Sequence, residues 1–218
     1  MKQFKIHEKQ TYTDWGLFLH SFEVGAAEVK TNYISLPIGD GTIDLTEAVR
    51  GEVSYSDREI RATFTTVAPR SSWRALLDEI AAYTHGRKYK ITVPDDPDHY
   101  YMGRVQVWPL IKSAASASFD ITVTAEPYKY KNEVTSHDFT IDATGTKTVP
   151  LTNSRKRVYP TFIVSADTQI VFGAVSIVID NTAPRTLTQI AFVQGANEIT
   201  FNAAAGTTVN VSYQEGVL

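Results

Sequence analysis

Residues Trp73 to Arg104 read WRALLDEIAAYTHGRKYKITVPDDPDHYYMGR, and this stretch decides the fold. Trp73, Leu76, Leu77 and Ile80 recur at i, i+3, i+4 and i+7, so they share one face of an amphipathic helix, with Arg74, Asp78 and Glu79 turned away. Pro69, Ser71 and Ser72 supply start signals, and Gly86 stands directly after His85, where a left-handed residue ends a helix. A helix of about 13 residues is marginal alone, and the flanking sequence offers only strands to cover its apolar face. Burying four such side chains contributes roughly 1.5–3 kcal/mol each, so the spacing predicts one helix laid across a sheet. Beyond it, Lys88 to Val93 and Tyr100 to Trp108 read as two strands joined by the turn-rich PDDPDH, a long hairpin.

Toward the N-terminus, Gln3 to Ile6 and Gly16 to Val24 read as short strands, the second with Leu17 and Leu19 on one face and Phe18 and His20 on the other. Glu28 to Pro37 is extended, and Gly39-Asp40-Gly41 marks a tight turn. Ile60, Ala62, Phe64 and Thr66 alternate with Arg61, Thr63 and Thr65, the period of a half-buried strand that follows a bend at Asp57-Arg58. Phe119, Ile121, Val123 and Ala125 repeat that period, and Pro127 is expected to close it. From Lys129 a polar connector, KYKNEVTSHD, leads into short strands at roughly 8–12-residue spacing, the rhythm of a sandwich. These are expected at Phe139 to Ile141, Lys147 to Leu151, Thr161 to Ser165, Gln169 to Phe172, Val175 to Asp180, Leu187 to Val193, Glu198 to Phe201 and Thr207 to Tyr213. The fold class is therefore mainly β. A β-sandwich or barrel-like N-terminal domain (1–132) carries one helix and the long hairpin, and a galectin-like (jelly-roll) β-sandwich (133–218) follows.

Composition excludes several functions. With no cysteine among 218 residues, disulfide scaffolds, thiolate metal sites and cysteine nucleophiles are absent. The opening MKQFKIHEKQ has no apolar core of a signal peptide, and no run approaches membrane-spanning length, so a soluble protein made in the cytosol is expected. The formal charge of −3 arises before residue 129 and gives no basic face for specific nucleic-acid binding.

Motifs for chemistry are also missing. Asp95, Asp96, Asp98 and His99 cluster like hard-cation ligands, but an EF-hand register starting at Asp95 puts Tyr100 where glycine is needed and Gln106 where the bidentate glutamate belongs. A solvated hairpin tip is the expectation. The five histidines show no metal-ligand spacing, and nucleophile-elbow, P-loop and dinucleotide patterns are lacking. Carboxylate pairs such as Asp40 with Asp44, or Asp44 with Glu47, recur by chance in β-rich chains. No enzyme and no cofactor are expected. Arg155, Lys156 and Arg157 form a short basic patch. Tyr128, Tyr130, Tyr159 and Tyr213 suggest the alternative of a carbohydrate-binding sandwich module.

In this order, GDGTIDLTEAVRGEVSYSDREI (Gly39 to Ile60), Trp73 with its helix running to HGRKYKI (His85 to Ile91), DDPDHYYMGRVQV (Asp95 to Val107) and ITVTAEPY (Ile121 to Tyr128) resemble the distal tail protein (Dit) family of long non-contractile-tailed bacteriophages, the siphophages. GANEITF followed by VSYQEGVL is similar to that family's C-terminal sandwich. The resemblance implies a structural virion protein of the tail tip, assembled in the host cytoplasm. It implies a homohexameric ring formed by the N-terminal domain, with the C-terminal sandwich as an outward docking platform. The implied partners are the tail-tube protein, the tail-tip hub and a receptor-binding protein, with DNA passing through the channel unbound. Some relatives carry inserted sugar-binding modules, for which the two basic domains leave no room here. The hairpin is expected to reach beyond its own domain and belt a neighbouring subunit, through Tyr89, Ile91, Asp95, Asp96, Asp98, Tyr100, Tyr101 and Arg104.

Overall fold

The computed structural model describes residues 2–48, 51–180 and 183–218; Val49 and Arg50, inside the Gly39 to Ile60 stretch, lie outside the described residues. The chain divides into two compact units, Met1–Lys129 and Tyr130–Leu218.

In chain order the first unit holds β1 (Lys5–Ile6), β2 (Lys9–Gln10), α1 (Thr11–Trp15), β3 (Phe18–Val24), β4 (Tyr33–Ser35), β5 (Thr42–Asp44) and β6 (Arg58–Thr66). A 3-10 turn at Arg70–Ser72 leads into α2 (Trp73–Thr84), followed by β7 (Lys88–Thr92), β8 (His99–Val107), β9 (Ile111–Lys112) and β10 (Ala117–Lys131), whose last two residues belong to the second unit. The main sheet runs β2-β1-β7-β8-β10-β6-β3, with β9 added beside β10. Its inner face carries the alternating residues expected: Ile60, Ala62 and Phe64 of β6 stand opposite Val123, Ile121 and Phe119 of β10, all buried. α2 covers this face, with Ile80 fully buried and Leu76, Leu77 and Tyr83 packed on the same core. Gly86 has φ +76, the left-handed value that releases the chain from the helix. Ser72 does not cap the helix, because its hydroxyl donates to the Pro69 carbonyl instead.

Three expectations for this unit are corrected. The one-turn helix α1 was not foreseen; Gly16 (φ +63) ends it, its N–H bonded to Tyr12 O at 2.8 Å, and five residues are too few to show a helical period. In β3 a bulge between Leu19 and Ser21 inverts the alternation, so Leu19 faces the core on one side of it and Phe22 and Val24 on the other. Pro127 does not close β10, because the ladder with β6 already ends at Ala125 and the missing N–H costs that ladder nothing. The Lys88 to Val107 hairpin is built into the main sheet. Pairing Lys88 with Arg104 and Ile91 with Tyr101, it forms the centre of the sheet, between β1 and β10.

The second unit contains β11 (Thr135–Thr140), β12 (Thr146–Asn153), β13 (Thr161–Val164), β14 (Thr168–Phe172), β15 (Val175–Ile179), β16 (Arg185–Thr186), β17 (Gly195–Asn202) and β18 (Thr208–Tyr213). They form two four-stranded antiparallel sheets, β11-β18-β13-β16 and β12-β17-β14-β15. The core of this sandwich is built on Phe162, Phe192, Phe201, Ile170, Ile190 and Val211, all fully buried. Two expectations change. KYKNEVTSHD is largely strand, ending β10 and starting β11. Leu187 to Val193 forms no strand: Leu187, Ile190 and Phe192 fold inward from a turn, pinned by an isolated bridge between Phe192 and Val158 and by the Leu187 N–H bond to Pro160 O. Apolar residues two or three apart look alike as a strand or as a buried turn, and here three side chains plug the core without a ladder.

Candidate functional site

Of the helix-face residues, Trp73 is 3% exposed and Ile80 0%, while Leu76 and Leu77 are half-buried. The Trp73 indole N–H donates to Ala68 O at 2.7 Å, so this face anchors the entry to α2 as well as the core.

The hairpin residues separate into two groups. Ile91, Tyr100 and Tyr101 are buried and Tyr89 is half-buried against the core, where its ring stacks on Tyr83 and on His7. Asp98 and Arg104 are exposed, the latter donating to Gly86 O. The tip acids have partners within the unit. Lys2 pairs with Asp95 at 2.8 Å, and Asp96 accepts from Lys129 Nζ at 2.6 Å and pairs with His99 at 2.7 Å. Burial pushes the Asp96 carboxyl up, but the Lys129 and His99 hydrogen bonds and charges outweigh it and hold it below the usual carboxylate range. Carboxylates neutralised by lysine and histidine are poor hard-cation ligands. Among the described residues no group of three or more His, Cys, Asp or Glu could hold a metal ion.

The surface that sequence reasoning missed lies before β6. Every residue from 28 to 44 is exposed, and among the described residues the short hairpin β4-β5 pairs only with itself, matching Tyr33 with Asp44 and Ile34 with Ile43. Its root is tied down by Lys30 N–H to Ser54 O, Ser56 N–H to Glu28 O and a bridge between Val29 and Tyr55. Hydrogen bonds from Thr46, first through its side chain and then its backbone, hold Asp44 low. The arm carries Tyr33, Ile34, Leu36, Ile38 and Ile43, each between 41% and 100% exposed. A two-stranded hairpin is marginal in water, and such a run of apolar side chains on one projection marks an interaction surface.

In the second unit Glu215, 6% exposed, ties together residues far apart in sequence. It accepts from Lys131 Nζ at 2.5 Å, from Thr135 Oγ1 at 2.6 Å, from Ser154 N–H at 3.0 Å and from the Ser154 hydroxyl. Burial pushes this carboxyl up, yet the hydrogen bonds from Lys131, Ser154 and Thr135 prevail and hold it at about 2. The basic patch is partly absorbed here, since Arg155 and Lys156 N–H groups bond Gly216 O and the Lys156 ammonium reaches the Tyr130 hydroxyl at 2.6 Å. The four tyrosines are dispersed. Tyr130 and Tyr213 are buried, Tyr128 packs edge-on against Tyr55, and Tyr159 is exposed. Burial and then the Glu215 charge push the Tyr213 hydroxyl up to about 12, so it stays a donor to Thr152 O at 2.7 Å.

The chain superimposes on the crystal structure of SPP1 Dit, a protein described as a paradigm of the hub adsorption apparatus in phages that infect Gram-positive bacteria. The match covers 100% of both chains with a TM-score of 0.70 at 14% sequence identity. Neither a protein-family model nor a curated protein sequence matches the chain.

Proposed function

We propose that the protein is a distal tail protein: a structural, non-enzymatic component of a long-tailed phage tail tip. The observation that carries this reading is the end-to-end agreement of both units with SPP1 Dit, reached independently of the residue resemblance in the first 128 positions. In this reading the first unit closes a homohexameric ring that joins the tail tube to the tip hub, leaving a channel for DNA. The sandwich serves as the docking platform for the receptor-binding apparatus.

The inter-subunit arm in this proposal is β4-β5, not the central hairpin, whose tip and core residues already have partners. Of the hairpin residues expected at the interface, Asp95, Asp98 and Arg104 are exposed. A heterologous contact repeated around an axis gives a closed ring. On burial the fully exposed Ile38 would contribute roughly 1.5–3 kcal/mol, and Tyr33, Ile34, Leu36 and Ile43, each about half exposed, roughly half that each. Light scattering and negative-stain imaging of the purified protein test the proposal, with a six-fold ring expected at micromolar concentration. A protein that stays monomeric up to about 100 μM, well above the range of a specific interface, and forms no ring with its tail-tube partner would overturn it.

A further inference from the structure

The sandwich has four sheet edges, and three are protected against pairing with another chain. β12 carries Lys147 and Pro150, β11 carries His137 and Asp138, and β16 is two residues long with Arg185. Charges, proline and brevity are the usual devices that blunt an edge. β15 has none of them. Its sequence is VSIVI, four of five residues are β-branched and apolar, and Val178 is 67% exposed.

The backbone of β15 is equally open. β14 and β15 are joined by a two-residue turn at Gly173-Ala174, with Phe172 opposite Val175. Gly173 has φ +55, which suits the first turn position of type II′. In such a hairpin the closing pair exchanges both hydrogen bonds, so Val175, Ile177 and Ile179 bond to β14. Ser176 and Val178 therefore turn their N–H and C=O groups away from the sheet. Among the described residues, no backbone bond to another element is formed by residues 175–179.

We infer that β15 is a docking edge for an extended, uncharged, β-prone segment of a partner protein, which adds as a fifth strand to β12-β17-β14-β15. Backbone groups in this array accept only another strand, and the absence of charge along VSIVI selects an uncharged one. A second folded copy does not fit. Five residues span about 17 Å, and a ladder of that length covers far less than the roughly 1,200 Å² a stable pair of folded chains needs. A tethered segment needs less. The four outward backbone groups correspond to a dissociation constant of about 1 mM, which matches the millimolar effective concentration of a segment already held in the same assembly. That the donor is a neighbouring tail protein rests on the function proposed above; the edge does not, and strand capture is measured separately from ring formation.

The test is hydrogen exchange of the full chain, read at residue level by mass spectrometry. The probe is a synthetic seven-residue peptide of alternating valine and threonine with a lysine at each end. At about 10 mM it should slow exchange of the Ser176 and Val178 amides about tenfold, and leave the β11 and β12 edges unchanged. Ser176→Pro removes an outward donor while sparing the bonds to β14, and should abolish the slowing at Val178. Val178→Lys keeps the whole backbone, installs the charge found on the other edges, and should abolish it too. The inference is overturned if the peptide has no effect, if it slows the β11 or β12 edges equally, or if either variant still captures it. Slow exchange that rises with protein concentration in the absence of peptide would also overturn it, by showing a second copy as occupant.

Discussion

Replacing Glu215 by glutamine tests whether one buried carboxylate holds the second unit's ends together. The side chain is 8% exposed and its four donors converge from Lys131, Thr135 and Ser154. Glutamine retains one carbonyl oxygen and turns an N–H2 group toward the remaining donors, so at least two of the four bonds are lost along with the ion pair. A carboxyl held at about 2 instead of about 4.5 is worth roughly 3 kcal/mol of stability at neutral pH. Lys131 is 45% exposed, so solvent screening lowers the expected cost to roughly 2–3 kcal/mol. The sign with pH is fixed by the direction of the shift. A depressed carboxyl contributes fully above its unfolded value of about 4.5 and loses that contribution as pH falls toward about 2. The parent should therefore lose stability across that window and Glu215→Gln should lose less, the two converging at its acid end. Urea transitions followed by amide exchange in β17 and β18 measure this. Trp15, Trp73 and Trp108 all lie in the first unit, so tryptophan fluorescence reports on that unit in the same samples. A change within about 0.5 kcal/mol of the parent, the scale of an ordinary surface substitution, or an equal loss at pH 7 and at pH 2.5, would refute the reasoning.

Trp73→Ala should destabilise the first unit by roughly 3–5 kcal/mol in a urea melt, since it opens a cavity and removes the bond to Ala68. Gly103→Ala should cost roughly 1–3 kcal/mol or abolish soluble expression, because a Cβ there meets Val123 Cγ1 at 2.4 Å and Thr124 O at 2.8 Å. Converting Asp95, Asp96 and Asp98 together to asparagine should leave the fold intact by circular dichroism, and the parent should show no calorimetric Ca²⁺ binding tighter than about 10 μM. Ile34→Asp with Ile38→Asp should leave the melting curve of the first unit unchanged while abolishing assembly in light scattering, as the function proposed above requires.

What the residues made legible was local. The Trp73 to Ile80 spacing and the alternation from Ile60 to Thr66 each need only their own element to be read, and each lies where the period puts it. The bulge at Leu19 and Ser21 is invisible to such a reading, because one inserted residue changes the face without changing composition. The Glu215 cluster is invisible for a different reason: residues 131, 135, 154 and 215 meet only once the sandwich has closed.

The two hairpins show where a pattern stops being informative about function. Charges and prolines made the Lys88 to Val107 hairpin look solvent-directed, yet Lys2 and Lys129 supply counter-charges to its tip and its strands sit at the sheet's centre. The β4-β5 arm, with Ile34, Leu36 and Ile38 on alternate positions, reads like a strand with a core to cover. Amphipathic alternation records that one face must be covered; it does not record by what. In a monomeric domain the cover comes from the same chain, and in a closed ring it comes from the next copy. An apolar period exposed along its whole length is thus the fold's own indication of where a partner belongs, and it becomes readable only after every intramolecular partner has been placed.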